Sequence, residues 1–163
     1  MWYYIDTKGK GIKKMVKAIY FDMDGTIADL YGVNGWLDCL IAGQTRPYRE
    51  AKSLVDMRKL GHLLNDLQRK GYHVGVVSWL SKSGTAEYNQ RVAETKLNWL
   101  RKHLSAVAFD EIKIVEYGTP KATVAEYPSG LLFDDEKPNR DNWLGVACDV
   151  DNILGTLSAL VNE

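Results

Sequence analysis

Five consecutive residues, Asp22-Met23-Asp24-Gly25-Thr26, carry the most specific chemical signal in the sequence. A carboxylate at the end of a strand can attack phosphorus and become an aspartyl phosphate. A second carboxylate two residues on can point the same way once the chain has left the strand. There it can protonate a leaving oxygen and later withdraw a proton from water. Gly25 permits the tight turn, and Thr26 can orient Asp24 or donate hydrogen bonds. A calcium loop does not fit. Counted from Asp22, an EF-hand needs glycine and glutamate where Ile27 and Val33 stand.

The elements that must position these groups alternate along the chain. Short apolar runs without polar alternation suit strands covered on both faces. Ala18-Ile19-Tyr20-Phe21 ends at Asp22, Val74-Gly75-Val76-Val77 at Ser78, and Leu131-Leu132-Phe133 at Asp134-Asp135. Ile112-Lys113-Ile114-Val115 and Val146-Ala147-Cys148 are further candidates. Between them, Leu54, Met57, Leu60, Leu64 and Leu67 recur at helical spacing, predicting a helix over 48–70 with Gly71 closing it. Residues 85–104 form a second amphipathic segment, and a helix capped by Asp151 ends the chain. The alternation predicts an α/β fold, a doubly wound parallel sheet. In such sheets ligands bind outside the carboxyl ends of the strands, where Asp22, Ser78, Asp134 and Asp135 would meet.

Phe21-Asp22-Met23-Asp24-Gly25-Thr26-Ile27 resembles motif I of the haloacid dehalogenase-like (HAD) superfamily. Val76-Val77-Ser78 resembles its motif II, Lys121 stands where the family keeps a lysine, and Leu132-Phe133-Asp134-Asp135 resembles its motif IV. The resemblance spans residues 17–162 and implies a Rossmann-like sheet. It implies Asp22 as nucleophile, Asp24 as acid and base, and Thr26, Ser78 and Lys121 on the phosphoryl group. It also implies Mg2+ held by Asp22, the Asp24 carbonyl and the Asp134-Asp135 pair, with Asp135 in direct contact. Lys113 is a rival for the lysine. Ser78 and Lys121, taken singly, also read as an ordinary strand-end serine and a surface lysine.

Composition narrows the rest. The 163 residues suit one compact domain, with 45% hydrophobic and 26% charged residues. Basic and acidic residues number 21 each, so nothing in the net charge favours broad binding to nucleic acid or to an anionic membrane. Cys39 and Cys148 show no ligand spacing and read as small apolar groups. Residues 1–16, with lysines around Gly9 and Gly11, read as an N-terminal extension before a catalytic domain over 17–163. No leader or spanning segment is evident, so a cytoplasmic protein is expected. His62, His73 and His103 read as structural or solvent-facing, and most tryptophans as packing, with Trp79 beside Ser78 the exception.

Residues 29–47 are left between the first motif and the predicted helix, enough for a miniature cap or flap at most. Tyr31, Trp36, Arg46 and Tyr48 are its candidate substrate contacts. Asp134-Asp135 followed by Lys137-Pro138-Asn139-Arg140 resembles the deoxyribonucleotidase branch of the family, and other stretches resemble polynucleotide phosphatases. A small phosphorylated substrate is expected, either a nucleotide or a nucleic-acid end. Trp79-Leu80 departs from the polynucleotide group and the missing helical cap from the nucleotidases. A non-catalytic HAD-like binding or regulatory module, and phosphotransfer to an acceptor other than water, are the other readings.

Overall fold

The computed structural model describes residues 17–163, together with the backbone of residues 3–5 and 12–14. Within the expected N-terminal extension, β1 (Tyr3–Ile5) pairs antiparallel with β2 (Ile12–Lys14); the rest of residues 1–16 lies outside the described residues.

From there the chain runs β3 (Ala18–Phe21), β4 (Ala28–Asp29), α1 (Trp36–Ile41), α2 (Arg46–Glu50), β5 (Lys52–Ser53) and α3 (Met57–Arg69). It continues through β6 (His73–Trp79), α4 (Ala86–His103), β7 (Glu111–Val115) and α5 (Lys121–Val124). β8 (Leu131–Phe133), α6 (Lys137–Asp141), β9 (Ala147–Cys148) and α7 (Ile153–Asn162) complete it. Five strands form one parallel sheet in the order β7-β6-β3-β8-β9. The chain builds outward from β3 to β7, then crosses back to β8. This is the expected doubly wound α/β fold, and its reversal point lies between β3 and β8.

Alternation along β3 explains why both faces are covered. Ile19 and Phe21 join Val74, Val76 and Phe133 on the face packed by α3, α4 and α7. Ala18 and Tyr20 join Val77 and Leu132 on the face closed by Ala125 and Trp143. Phe21 and Phe133 are register partners with rings stacked 5.3 Å apart, which locks the two strands that end in aspartates.

The predicted helix over 48–70 is two helices. The chain leaves α2 at Ala51, and Ser53 pairs with Ala28 in a short antiparallel ladder. Only at Asp56, whose carboxylate accepts from Lys59 N–H at 3.0 Å, does α3 begin. Leu54 fits the helical period but stands exposed in the connection. Gly71, with φ +86°, follows α3 as expected. At the C-terminus, Asp149 caps a short 3-10 turn over residues 150–152, so Asn152 and not Asp151 precedes α7. Among the described residues no helix is long and apolar enough to cross a membrane.

Residues 29–47, expected as a miniature cap or flap, run from β4 towards β5. α1 has no buried residue, and Ile41 is 77% exposed. Leu30 and Tyr48 pack on Tyr88 and Val92 of α4, while Tyr88 Oη donates to the Gln44 carbonyl at 3.0 Å. Arg46, a candidate substrate contact, instead ties α1 to α2. Its guanidinium donates to the Asn34 carbonyl and to Cys39 Sγ and pairs with Glu50. Cys39 and Cys148 are free and only partly buried.

Candidate active site

Asp22 follows β3 directly, and its N–H donates to the Phe133 carbonyl at 2.9 Å. That bond sets Asp22 beside Asp134, the residue that follows β8. The chain then turns tightly, the Met23 carbonyl accepting from the amides of Thr26, Ile27 and Ala28. Gly25 takes φ +77° in this turn. A Cβ there would lie 2.7 Å from Asp135 Cγ and 2.8 Å from the Tyr31 ring, so only glycine fits. The turn therefore brings Asp24 and Asp135 to the same rim.

Lys121 sits at the first position of α5, after Gly118 and Pro120, and is buried. Its ammonium donates to Asp22 Oδ1 at 2.7 Å and Asp134 Oδ2 at 2.5 Å. Lys113, its rival in the sequence, is exposed on β7. Asp134 is fully buried with both oxygens engaged. Oδ1 accepts from Glu136 N–H at 2.9 Å, and Asn139 Nδ2 reaches both oxygens. Arg140 fixes the same turn by donating to the carbonyls of Asp134 and Asp135.

Two expected placements are corrected. The Thr26 hydroxyl does not face the cleft. It is buried, accepts from Asp135 N–H at 3.2 Å and donates to Asp135 Oδ1 at 3.3 Å, so it joins the loops after β3 and β8. Ser78 does not end its strand but lies within β6, fully buried.

The residue that sequence reasoning missed is Lys96 of α4. The residue is 1% exposed, and its ammonium donates to Asp24 Oδ2 at 2.6 Å, Ser78 Oγ at 3.0 Å and the Trp79 carbonyl at 2.6 Å. A signal for it exists. Tyr88, Val92, Lys96, Trp99 and Leu100 form one buried stripe at helical spacing, and a lysine there must find partners.

Charge in the site is unbalanced. Asp22, Asp24, Asp134 and Asp135 face two ammonium groups, Lys96 and Lys121, which leaves two negative charges unmatched among these groups. Burial, then repulsion from Asp22 and Asp134, pushes the Asp135 carboxyl up to about 7. Burial and Asp22 raise Asp134 against the pull of Lys121, and burial raises Asp24 against the pull of Lys96. Burial alone would lower Lys121, but Asp22 and Asp134 outweigh it and hold the ammonium charged.

Carboxylate oxygens of Asp22, Asp134 and Asp135 lie within 4.8 Å of one another. With both oxygens of Asp134 already bonded, Asp22 and Asp135 offer the free ones. Such a set of anionic oxygens, short of positive charge, fits a hard divalent cation. Outside it opens a cleft of about 740 Å³. It is lined by Asp22, Asp24 and Lys121, by Tyr31, Trp36, Leu37 and Tyr48 from the segment between β4 and β5, and by Trp79 and Tyr117. His73 and Glu111 lie elsewhere, in a network with Tyr20 Oη.

Fold and site together define a doubly wound α/β chain with a carboxylate-rich crevice at its reversal point. Compared by sequence, it matches no protein-family model and no curated protein. Among solved structures it is similar to a D,D-heptose 1,7-bisphosphate phosphatase from Burkholderia thailandensis. The TM-score is 0.53 and the identity 12%, over 90% of this chain and 99% of that one. At that identity the likeness is one of fold.

Proposed function

We propose that the chain hydrolyses phosphomonoesters through an aspartyl phosphate on Asp22, with magnesium, and that its substrate is a nucleotide. The observation that carries this reading is the Lys121 ammonium held between Asp22 and Asp134 at the floor of an open cleft, with Asp24 beside it. A scaffold without chemistry gains nothing from four crowded carboxylates. The similarity in fold to a phosphatase supports the same class.

In the first transfer an Asp22 oxygen bonds to phosphorus as the ester P–O bond breaks, and Asp24 delivers a proton to the leaving oxygen. In the second, Asp24 takes a proton from water, the water oxygen bonds to phosphorus, and the Asp22–phosphorus bond breaks. The products are inorganic phosphate and the original carboxylate. Asp24 Oδ2 is taken by Lys96, so Oδ1 is the atom that carries the proton. Lys121 retains one N–H beyond its two carboxylate bonds and directs it to a phosphoryl oxygen. Magnesium, bound by Asp22, Asp135 and the Asp24 carbonyl, would neutralise charge on the carboxylates and the phosphoryl oxygens.

Aromatic walls support a planar leaving group. Tyr31 and Trp36 meet edge to face with centroids 5.0 Å apart, and Trp79 and Tyr117, which line the same cleft, lie 4.8 Å apart. A base can stack on such rings. A second reading, a 3′-phosphorylated nucleic-acid end, draws on Lys82 and Arg91, exposed cations that line the same cleft and suit a further phosphate.

The test is phosphate release with magnesium from p-nitrophenyl phosphate, nucleoside monophosphates and 3′-phosphorylated oligonucleotides, with Asp22→Asn as control. Turnover by the wild type alone supports the reading. Equal inertness of both proteins across the panel removes it and leaves a binding module.

A further inference from the structure

We infer that Lys96 is a positioning residue of the site, which fixes the acid Asp24 and the hydroxyl of Ser78 in one arrangement. The inference rests on the phosphatase reading above. It deepens that reading by naming what aims the proton donor.

A lysine ammonium has three N–H donors, and all three are used: on Asp24 Oδ2, Ser78 Oγ and the Trp79 carbonyl. The stem rises from α4 through the apolar stripe of Val92 and Trp99, and the ammonium lies 5.1 Å from the centroid of the Tyr48 ring. Flap, helix and central strand therefore converge on one cation that solvent does not reach.

Two consequences follow from direction alone. An ammonium only donates, so Ser78 Oγ accepts from it and the serine's own hydrogen must point elsewhere. The same ammonium occupies Oδ2 of Asp24, so the carboxyl cannot rotate freely and Oδ1 stays turned to the cleft that Asp24 lines. A general acid works only when its proton lies within hydrogen-bond reach of the leaving oxygen. If α4 needed nothing but packing here, an apolar side chain of similar length would fill the stripe without the desolvation a buried ammonium incurs.

Lys96→Met removes the donor and keeps the stem. The readout is the dependence of kcat/KM on the leaving group, measured with phenyl phosphate and 4-nitrophenyl phosphate, two esters of nearly the same shape. Nitrophenolate leaves without a proton, whereas phenolate needs one. A misaligned acid therefore penalises phenyl phosphate selectively. Lys96→Met is expected to lower kcat/KM for phenyl phosphate by at least about tenfold more than for the nitrophenyl ester. Lys96→Arg keeps the charge and so guards against loss of folding. Its planar fork cannot reproduce three diverging bonds, and it should shift the ratio in the same direction. Equal proportional losses on both esters in these variants would mean that Lys96 only holds α4 to β6, and would overturn the inference with the phosphatase reading intact. A wild type inert on both esters and on the nucleotides and oligonucleotides would overturn both.

Discussion

Gly25 and Asp135, 110 positions apart in the sequence, approach so closely that a methyl group on the glycine would displace the carboxylate. Gly25→Ala therefore carries two penalties, a left-handed φ and a displaced Asp135 carboxylate. Gly71→Ala carries the first alone, since Gly71 has a similar φ of +86° with open space around it. Gly71→Ala should lose about 1–2 kcal/mol in denaturant unfolding, and Gly25→Ala should lose more. Only Gly25→Ala should lose magnesium binding and turnover. Full activity in Gly25→Ala would show that Asp135 does not act from where it stands.

The Lys121 cation bridges two buried carboxylates, Asp22 and Asp134. Lys121→Met leaves Asp22 and Asp134 facing each other, and removing one partner of a buried pair typically costs about 3–5 kcal/mol. The variant should unfold at clearly lower denaturant and be inactive. Added magnesium should recover part of the stability, since it supplies the missing positive charge. An unfolding midpoint equal to wild type would contradict the geometry described for this lysine.

Raised carboxyls give the metal-free protein an unusual pH response. Asp135 titrates at about 7 when folded and in the ordinary carboxylate range when unfolded, so the folded chain binds the extra proton between those values. Stability falls as pH rises through that window and levels above it. Asp24, Asp134 and Glu136 are raised as well and act in the same sense. Asp110 is held low by the Val74 amide and Gln68 despite its burial, and works only below the ordinary range. A divalent cation held by these carboxylates needs them ionised, so the stabilising effect of added magnesium should grow from pH 5 to pH 7.5. Thermal unfolding in EDTA and in magnesium at several pH values checks this. A metal-free melting temperature that rises toward pH 7 would count against the crowded-carboxylate account.

If a base stacks in the cleft, Trp36 contributes to binding and not to chemistry. Stacking on one aromatic is worth about 1–3 kcal/mol, so Trp36→Ala should lower kcat/KM for nucleoside monophosphates about tenfold or more. Inhibition by inorganic phosphate, which reaches only the floor, should not change. A wild type that prefers sugar phosphates, with Trp36→Ala indifferent to the leaving group, would remove the nucleotide reading.

The fold was legible because β3, β6 and β8 are covered on both faces and so read as unbroken apolar runs. The floor of the site was legible for a related reason. The residues that follow β3 and β8 must emerge at one rim, so Asp22, Asp134 and Asp135 could be brought together from sequence alone. The flap boundary was not legible, because Leu54 satisfies the helical period by coincidence while Asp56 sets the true start of α3. Thr26 was misplaced because its partner, Asp135, is distant in sequence. Lys96 was hidden because its three acceptors lie on two other elements, and a lysine in a helix reads as solvent-facing unless its neighbours at three and four residues are weighed.

The central claim is that phosphorus passes through the carboxylate at position 22. Rapid acid quench of the enzyme turning over its best phosphomonoester with magnesium, followed by peptide mass analysis, looks for that bond directly. A phosphoryl group on the peptide at Asp22, absent from Asp22→Asn, is the expected result. Steady turnover with no phosphorylated Asp22 peptide, or with Asp22→Asn as fast as wild type, would contradict it.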